Sequence, residues 1–243
     1  MTDLPARVFA AIDGTWAPRR IIPDGPFLLR DGDGGGKRVS AATAHGPAGG
    51  DDIDRAEAGM RALGQRPLFQ LRAGDEVLDG ALAARGYLTV DPSIVLATDP
   101  KRLTDQPIPR VTVFTLWEPL AIMTDTWARA GVGAARLRVM HRAAGPKTAL
   151  LARHRDMPAG VAFMALHDGV AMLHALEILP HQRRQGMAQW VMRAAAFWAR
   201  DHGADTLAVI CTQANKGANA LYASLGFVPV GQYHYRQHPE ETP

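Results

Sequence analysis

The sequence predicts an α/β protein with a mixed central sheet flanked by helices, and two observations support this class. Apolar runs of strand length alternate with patterns of helical period along most of the 243-residue chain. One order of elements, namely helix, glycine, strand, helix, glycine, aromatic residue and strand, also occurs twice. Because alternating strands and helices are typical of a sheet covered by helices, we expect a layered α/β (α+β mixed-sheet) fold.

The repeated order predicts two related domains. Gly86 and Tyr87 are matched by Gly226 and Phe227 at an offset of 140 residues. The glycine that precedes each short strand is also matched, at an offset of 139. The same order of elements at a nearly constant offset indicates that one supersecondary unit occurs twice in the chain.

The segment between the halves predicts the domain boundary. Residues 101–110 contain prolines and charges and have little apolar periodicity, which is typical of a linker. We therefore expect an N-terminal domain over residues 1–100 and a C-terminal domain over residues 111–243.

Five elements are expected before the linker. Residues 25–46 place a glycine-rich centre between apolar runs and predict two strands around a mobile turn. Acidic residues open the segment 51–64 and a glycine closes it, as in a helix. Residues 67–72 predict a short strand, and residues 75–87 predict a helix that ends at a glycine.

The second half predicts a longer series of elements. Apolar residues at helical spacing predict one helix over residues 124–145, with Thr124 or Asp125 as its N-cap. Turn sequences separate three strand-like runs, which predict hairpins. The expected strands are 147–154, 159–166 and 170–179, followed by an amphipathic helix over 187–202, a strand over 206–212, a helix over 215–226 and a last strand over 227–236.

Composition and charge limit the classes of function. The chain is 47% hydrophobic and 21% charged, as in ordinary globular proteins. Its formal charge of +3 suits an anionic small ligand and is too weak to indicate nucleic-acid binding. The single cysteine, Cys211, excludes an intramolecular disulfide, and its apolar neighbours indicate a buried thiol. No membrane span or signal peptide is recognisable, so we expect a cytoplasmic protein.

A strand-to-helix turn with two arginines predicts an anion site. The stretch LPHQRRQGMA, residues 179–188, follows a strand and opens the helix that begins after Gly186. A helix N-terminus is already the positive end of a dipole, so Arg183 and Arg184 are unfavourable there unless an anion binds. Backbone amides, a glycine without a side chain and two cations suit a pyrophosphate.

Two motifs resemble the GNAT superfamily of acyl-CoA-dependent N-acyltransferases. Residues 176–188 match its Q/R-x-x-G-x-G/A motif through Arg183, Gly186 and Ala188. The second motif is matched by Asn215, Ala218, Leu221, Tyr222, Gly226 and Phe227. The resemblance covers roughly residues 111–236 and, more weakly, the first half as a degenerate copy. It implies two GNAT-like domains, each with two central strands that splay apart, and a pantetheine arm bound between the splayed strands of the second.

The resemblance also implies acetyl-CoA as cosubstrate, no metal, and a role for each motif residue. Backbone groups of Leu176, Glu177 and Ile178 would pair with the pantetheine amides as an added strand. Asn215 would form a hydrogen bond near this arm, and Tyr222 would face the thioester sulfur and protonate the departing thiolate. The residues expected to hold the pyrophosphate are Arg183, Arg184, Gln185, Gly186, Met187, Ala188 and Gln189.

The general base stays open at this stage. An alkylammonium acceptor with a pKa of about 10 must lose a proton before it attacks. His174 and Glu177 are the titratable residues on the strand that leads into the turn. Their odd spacing predicts opposite faces of a regular strand unless a bulge alters the parity. Deprotonation through water is a further alternative.

Two other patterns invite functional readings. Residues 31–37, DGDGGGK, fit neither a phosphate-binding P-loop nor a calcium loop, because Arg38 and Ala42 occupy the places of required ligands. The histidines show no zinc-binding spacing. Tyr233 and its neighbours near the C-terminus could line an acceptor pocket or form an aromatic strand edge.

The sequence therefore predicts an N-acetyltransferase that acts on a small-molecule or peptide primary amine, without nucleic-acid or membrane partners. The first half has Leu82 at the position of Tyr222 and acidic residues in place of the two arginines, so we expect it to be non-catalytic. The alternative is a non-catalytic acyl-CoA-binding regulatory module; a nucleic-acid-binding protein is the weaker rival. GNAT proteins often pair through sheet edges, so the resemblance also allows a homodimer.

Overall fold

The computed structural model describes residues 3–239. Its first part contains elements that precede the expected linker. They are α1 (Leu4–Thr15), β1 (Arg20–Asp24), β2 (Phe27–Asp31), α2 (Lys37–Ser40), β3 (Thr43–Ala44), α3 (Gly50–Ala62), β4 (Leu68–Arg72), α4 (Glu76–Ala84) and β5 (Leu88–Thr98). A short 3₁₀ helix, Pro100–Leu103, follows β5 and leads into the linker segment.

The second part contains the elements that carry the two motifs. They are β6 (Val113–Leu116), α5 (Ala121–Arg129), α6 (Ala134–Arg142), β7 (Lys147–His154), β8 (Met157–His167), β9 (Val170–Ile178), α7 (Met187–Asp201), β10 (Thr206–Thr212), α8 (Lys216–Ser224) and β11 (Val228–Gln237). From β7 onward these elements agree with the sequence expectation to within a few residues, because each has a clear apolar period and a glycine or turn at its end.

The strands form one eight-stranded mixed sheet and a small three-stranded sheet. The large sheet has the order β4-β11-β5-β10-β9-β8-β7-β6, and the small one has the order β1-β2-β3. Strands β9 and β10 run parallel, whereas the other neighbours in the large sheet are antiparallel. The predicted mixed sheet flanked by helices is confirmed.

Two strands are exchanged between the halves of the chain. Strand β5 lies between β10 and β11, and β11 lies between β4 and β5. Their register pairs Leu88 with Gln237 and Ala97 with Val228. Each end of β5 thus pairs with the residue of β11 that lies 140 positions after the opposite end of β5. The two halves share one continuous sheet.

The helices cover both faces of the large sheet. Adjacent residues of β10 show this alternation, since Val209 packs under α7 and α8 while Ala208 packs under α1. Helices α5 and α6 cover β7 and β8 on the α1 side through Trp127 and Val139. Helices α3 and α4 bury a separate cluster against β4, including Phe69.

Two local expectations are wrong. The segment 124–145 is not one helix, because α5 ends near Gly131 and α6 begins after Gly133. Gly131 has φ +80, a conformation that ends a helix readily and that other residues seldom adopt. Thr124 and Asp125 consequently lie inside α5, whose N-cap is Leu120.

The two strands expected around the glycine-rich segment are β2 and β3, which pair antiparallel, but the segment leads into α2 and is not a hairpin turn. Asp33 accepts hydrogen bonds from Arg138 Nε at 2.7 Å and Arg142 Nη1 at 3.2 Å, and both arginines lie on α6. The bond from Arg138 is the main reason that the pKa of Asp33 is lowered. Gly35 is packed so closely that an added Cβ would lie 2.5 Å from Val139 Cγ2. The loop is thereby held against α6, above the centre of the sheet.

Candidate functional site

The parallel strands β9 and β10 separate in the middle of the sheet. Their pairing extends from Val170 with Thr206 to Leu173 with Val209, and no pairing joins the remaining residues, 174–178 and 210–212. A wedge-shaped opening results, and the β9 edge that faces it has backbone groups without a strand partner. Such an edge can accept an extended ligand through main-chain hydrogen bonds.

A β-bulge at Ala175 orients the end of β9. Between the pairs Phe163–His174 and Val161–Glu177, β9 has one residue more than β8. Ala175 adopts φ +49, an uncommon conformation for a residue with a Cβ. The bulge places His174 and Glu177 on the same face of the sheet, so the parity expected for a regular strand is wrong.

The turn after β9 leaves the N-terminus of α7 free of protein acceptors. Arg184 and Gly186 both adopt left-handed conformations, with φ +62 and +77. Gly186 is the N-cap of α7, and no side chain of residues 3–239 caps the helix or places an acidic group in its first turn. Among the same residues, no heavy atom beyond the neighbouring backbone lies within 4 Å of the position of a Gly186 Cβ, so the space in front of this turn is open. The arrangement has the amides and the room that an anion needs.

Arg183 joins this turn to the end of β9. Its Nη2 donates to Glu177 Oε1 at 2.9 Å, and its Nε donates to the Ile178 carbonyl oxygen at 3.0 Å. The Arg183 side chain is 57% exposed, so the pair faces solvent. Arg184 and Gln185 are exposed beside it. The turn therefore presents positive charge, while Glu177 is already engaged in an ion pair.

Tyr222 lies on α8 in the core that α7 covers. It is 5% exposed, and its ring packs 5.6 Å from that of Phe227. Burial, and secondarily the proximity of Cys211, raises the pKa of the Tyr222 phenol well above its usual range. Within residues 3–239 its hydroxyl has no hydrogen-bond partner. The group is thus a protonated donor that is not occupied by another protein group.

Asn215 organises the start of α8. Its Oδ1 accepts a hydrogen bond from the Ala218 amide at 3.1 Å, and its carbonyl oxygen accepts one from Asn219 Nδ2 at 2.9 Å. Asn215 itself is exposed, whereas Cys211 nearby is buried and burial raises its thiol pKa. The side chain thus acts as an N-cap that positions the helix bearing Tyr222.

His174 is buried and both of its ring nitrogens are occupied. The Thr15 hydroxyl donates to the Ala11 carbonyl oxygen at 2.5 Å, so its oxygen accepts from His174 Nε2 at 2.9 Å. Arg38 Nη1 donates to Nδ1 at 3.1 Å, because a guanidinium only donates. Burial and the charge of Arg38 lower the pKa of His174 well below its usual value. The ring is therefore neutral, with its proton on Nε2.

A cavity of about 310 Å³ opens where the two strands separate, on the face opposite α7. Ala175 of β9 and Ile210 and Thr212 of β10 line it. The first half of the chain also contributes to its wall, through Trp16, Gly35, Gly36, Lys37, Arg38, Asp91 and Ser93. The second half contributes Val132, Arg136, Tyr233 and Tyr235 in addition.

Most of these cavity residues were missed by sequence reasoning. Trp16, Arg38, Asp91 and Arg136 are far apart in the chain, and no motif joins them. Arg38 directly follows the glycine-rich segment, which lacks a P-loop pattern. Tyr233 and Tyr235 line this cavity, and β11 lies between β4 and β5, so it is not an edge strand; an acceptor role for Tyr233 stays a prediction.

Among residues 3–239, no cluster of three or more histidine, cysteine, aspartate or glutamate side chains could hold a metal ion. In the same part of the chain, none of the helices is long and apolar enough to cross a membrane.

Comparisons with known proteins agree with this geometry. Residues 116–227 match the model of the acetyltransferase (GNAT) family. An uncharacterized N-acetyltransferase of Bacillus subtilis, YobR, is 24% identical over 222 residues, which cover 87% of this chain and 90% of that protein. The chain is thus similar to the GNAT acetyltransferase family over residues 116–227.

Solved structures share the fold over nearly the whole chain. A GCN5-related N-acetyltransferase from Kribbella flavida has a TM-score of 0.72 at 24% identity, covering 99% of this chain and 98% of that one. A tandem GNAT protein from the clavulanic acid biosynthesis pathway has a TM-score of 0.64 at 14% identity, covering 96% and 89%. The GNAT match proper starts in β6 and ends at Phe227, so it includes the opening, the turn and Tyr222. The similarity of the first half of the chain to these solved structures rests on the longer structural alignments alone.

Proposed function

We propose that the protein transfers an acetyl group from acetyl-CoA to a primary amine at the opening between β9 and β10. The observation that carries this proposal is the combination of an unpaired β9 edge with an uncapped α7 N-terminus directly after it. An extended arm that ends in a pyrophosphate has the shape and charge that these two features accept. The GNAT match of residues 116–227 supports the same cosubstrate class.

In the proposed complex the two ends of the cofactor meet different parts of the site. Backbone groups of Leu176, Glu177 and Ile178 would pair with the pantetheine amides. The amides of residues 184–189 would surround the pyrophosphate, and Arg183 and Arg184 would add charge-assisted hydrogen bonds. Asn215 would hold the start of α8 beside the arm.

The reaction would proceed by direct attack. The amine nitrogen forms a bond to the thioester carbonyl carbon, and the tetrahedral intermediate carries an oxyanion that a backbone amide near Ile178 could stabilise. The carbon–sulfur bond then breaks, and the thiolate of coenzyme A takes a proton from the Tyr222 hydroxyl, while the proton lost by the attacking nitrogen passes through water and restores the phenol. The raised pKa of Tyr222 keeps its phenol protonated before the transfer.

The surroundings of the two candidate bases argue for deprotonation through water. His174 is neutral, yet Arg38 already donates to its basic nitrogen. Glu177 is paired with Arg183. This same observation favours the second candidate function, a module that binds acyl-CoA and has no turnover.

The first half of the chain is proposed as a non-catalytic copy that completes the acceptor side. Leu82, fully buried, stands at the position of Tyr222, so this half lacks the proton donor. Its residues nevertheless line the cavity at the opening. We propose this division, residues 1–100 and 111–243 with the linker 101–110, in place of two separately functioning domains.

Calorimetric titration of acetyl-CoA into the wild type, Gly186→Glu and Gly186→Gln tests the cofactor site. Both substitutions impose the same strain of about 1 kcal/mol at a left-handed position, and only Glu adds a negative charge where the pyrophosphate would lie. We expect affinity to fall about 100-fold or more in Gly186→Glu relative to Gly186→Gln, as repulsion of several kcal/mol implies. Equal affinities of the two variants would remove the site.

Release of free thiol in the presence of amines then separates the two candidate functions. We expect turnover in the wild type and a fall in kcat of about 100-fold in Tyr222→Phe, with the affinity for acetyl-CoA unchanged, because only the proton donor is lost. Tight binding of acetyl-CoA with no thiol release from any amine would favour the regulatory module.

A further inference from the structure

The cavity at the opening has an excess of positive charge. Its lining includes Lys37, Arg38 and Arg136, and Asp91 supplies the carboxylate. Lys37 Nζ and Asp91 Oδ2 form an ion pair at 2.7 Å, so these two charges balance each other. The guanidinium groups of Arg38 and Arg136 are left without compensation from the cavity wall.

Arg38 has its strongest contacts with neutral groups. It donates to the neutral His174 ring, and its Cζ lies 5.8 Å from the centre of the Trp16 ring. Its Nε is buried without a hydrogen-bond partner. Within residues 3–239 no carboxylate lies in ion-pair distance of it. A partly buried cation in this state gains from an anionic ligand.

Arg136 of α6 also lines this cavity. Its Nη1 donates to the Gly131 carbonyl oxygen at 3.3 Å, and its guanidinium lies against Gly36, with Nε and Nη2 3.4 Å from the position of a Cβ there. Its neighbours on α6 differ, since Arg138 and Arg142 both pair with Asp33. In the described part of the chain, Arg136 has no such carboxylate.

We propose that the acceptor is a small amine that also carries an anionic group, a carboxylate or a phosphate, bound by Arg38 and Arg136. The proposal rests on the proposed acyl transfer and specifies its acceptor. A guanidinium matches the oxygen geometry of either anion, and a cavity of about 310 Å³ has room for one small molecule. The amine would then point toward Ala175 and Thr212, where the strands separate. Polycationic acceptors are disfavoured, because two uncompensated arginines repel them.

Matched pairs of amines test the proposal in two assays. The probes are L-phenylalanine against L-phenylalaninamide and O-phosphoethanolamine against ethanolamine, with spermidine as a polycation. One assay measures thiol release from acetyl-CoA, and the other measures direct binding of each probe by saturation-transfer NMR without acetyl-CoA. We expect kcat/KM about tenfold or more higher for the anionic member of at least one pair, as a charge-assisted hydrogen bond implies. The pair that responds identifies the anion.

Variants assign the effect to the arginines. Arg136→Gln should lower activity toward the anionic probe more than toward its neutral partner, so that the preference is lost, while Arg129→Gln, on exposed α5 surface, should keep the wild-type preference. Arg38→Gln should have the same effect as Arg136→Gln. If loss of the His174 contact unfolds Arg38→Gln, the result for Arg136→Gln decides the test.

Anionic probes that bind in the NMR assay without any thiol release would contradict the acyl transfer and retain the anion site. Any of four results would overturn the proposal. They are equal activity toward both members of each pair, a preference for spermidine, no binding of any probe, or an Arg136→Gln variant that keeps the wild-type preference for the anionic probe.

Discussion

The imidazole of His174 links three elements through two hydrogen bonds, and its titration should govern part of the acid stability. Thr15 of α1 and Arg38 of α2 both contact the neutral ring. The folded-state pKa is lowered, whereas the unfolded chain has a histidine pKa of about 6.5. Below about pH 6.5 the unfolded state therefore binds one more proton, and stability falls by up to about 1.4 kcal/mol per pH unit.

Urea denaturation between pH 7.5 and 5 measures this contribution. In His174→Gln the amide can still accept from Arg38 and donate to Thr15, but it does not titrate, so the slope of the free energy of unfolding against pH should decrease by about one proton. His45→Gln, at an exposed position, should keep the wild-type slope. An unchanged slope in His174→Gln would mean that the ring is protonated or exposed in the folded protein.

The glycine-rich connection between β2 and α2 is an element whose packing shapes the cavity. A methyl group at Gly35 would lie 2.5 Å from Val139, 2.8 Å from Val39 and 2.9 Å from the Gly32 carbonyl oxygen. We expect Gly35→Ala to destabilise the protein by about 1–3 kcal/mol, as overpacking of a tight contact does. Gly46→Ala is the control, since no heavy atom lies within 4 Å of its Cβ position. Equal urea midpoints for the two variants would show that the loop yields without strain.

Elements with a strong local signal could be predicted, and those that depend on distant partners could not. Strand β10 was predicted with the limits that the structure shows, Thr206–Thr212, because its apolar run is bounded by turns. Helix α1 was not predicted, since its apolar residues meet their partners on β9, β10 and β11 across the sheet. The turn before α7 has a local motif, whereas Arg38 and Arg136 come to line one cavity only through tertiary packing.

The exchange of β5 and β11 makes the two halves depend on each other. Both neighbours of each of these strands lie in the other half, so a separated C-terminal half would expose the β10 edge and leave β11 without a partner. Unpaired strands of this kind lose main-chain hydrogen bonds and aggregate readily. The local repeat in the sequence indicates two units. The order of the strands in the sheet, however, depends on which strand edges pair with each other, and local sequence patterns do not determine this pairing.

A chain cut in its linker distinguishes interlocked halves from two independent domains. Cleavage at a protease site inserted between Gln106 and Pro107, both exposed, breaks the chain outside the strands of the sheet. We expect the two fragments to co-elute on size exclusion after cleavage and to unfold in one transition, because β5 stays between β10 and β11. A fragment of residues 111–243 produced alone should lack the dispersed NMR spectrum of a folded protein. Separation of the cut halves into two folded species would contradict the interlocked sheet, and it would make the cavity at the opening, which both halves line, depend on their reassociation.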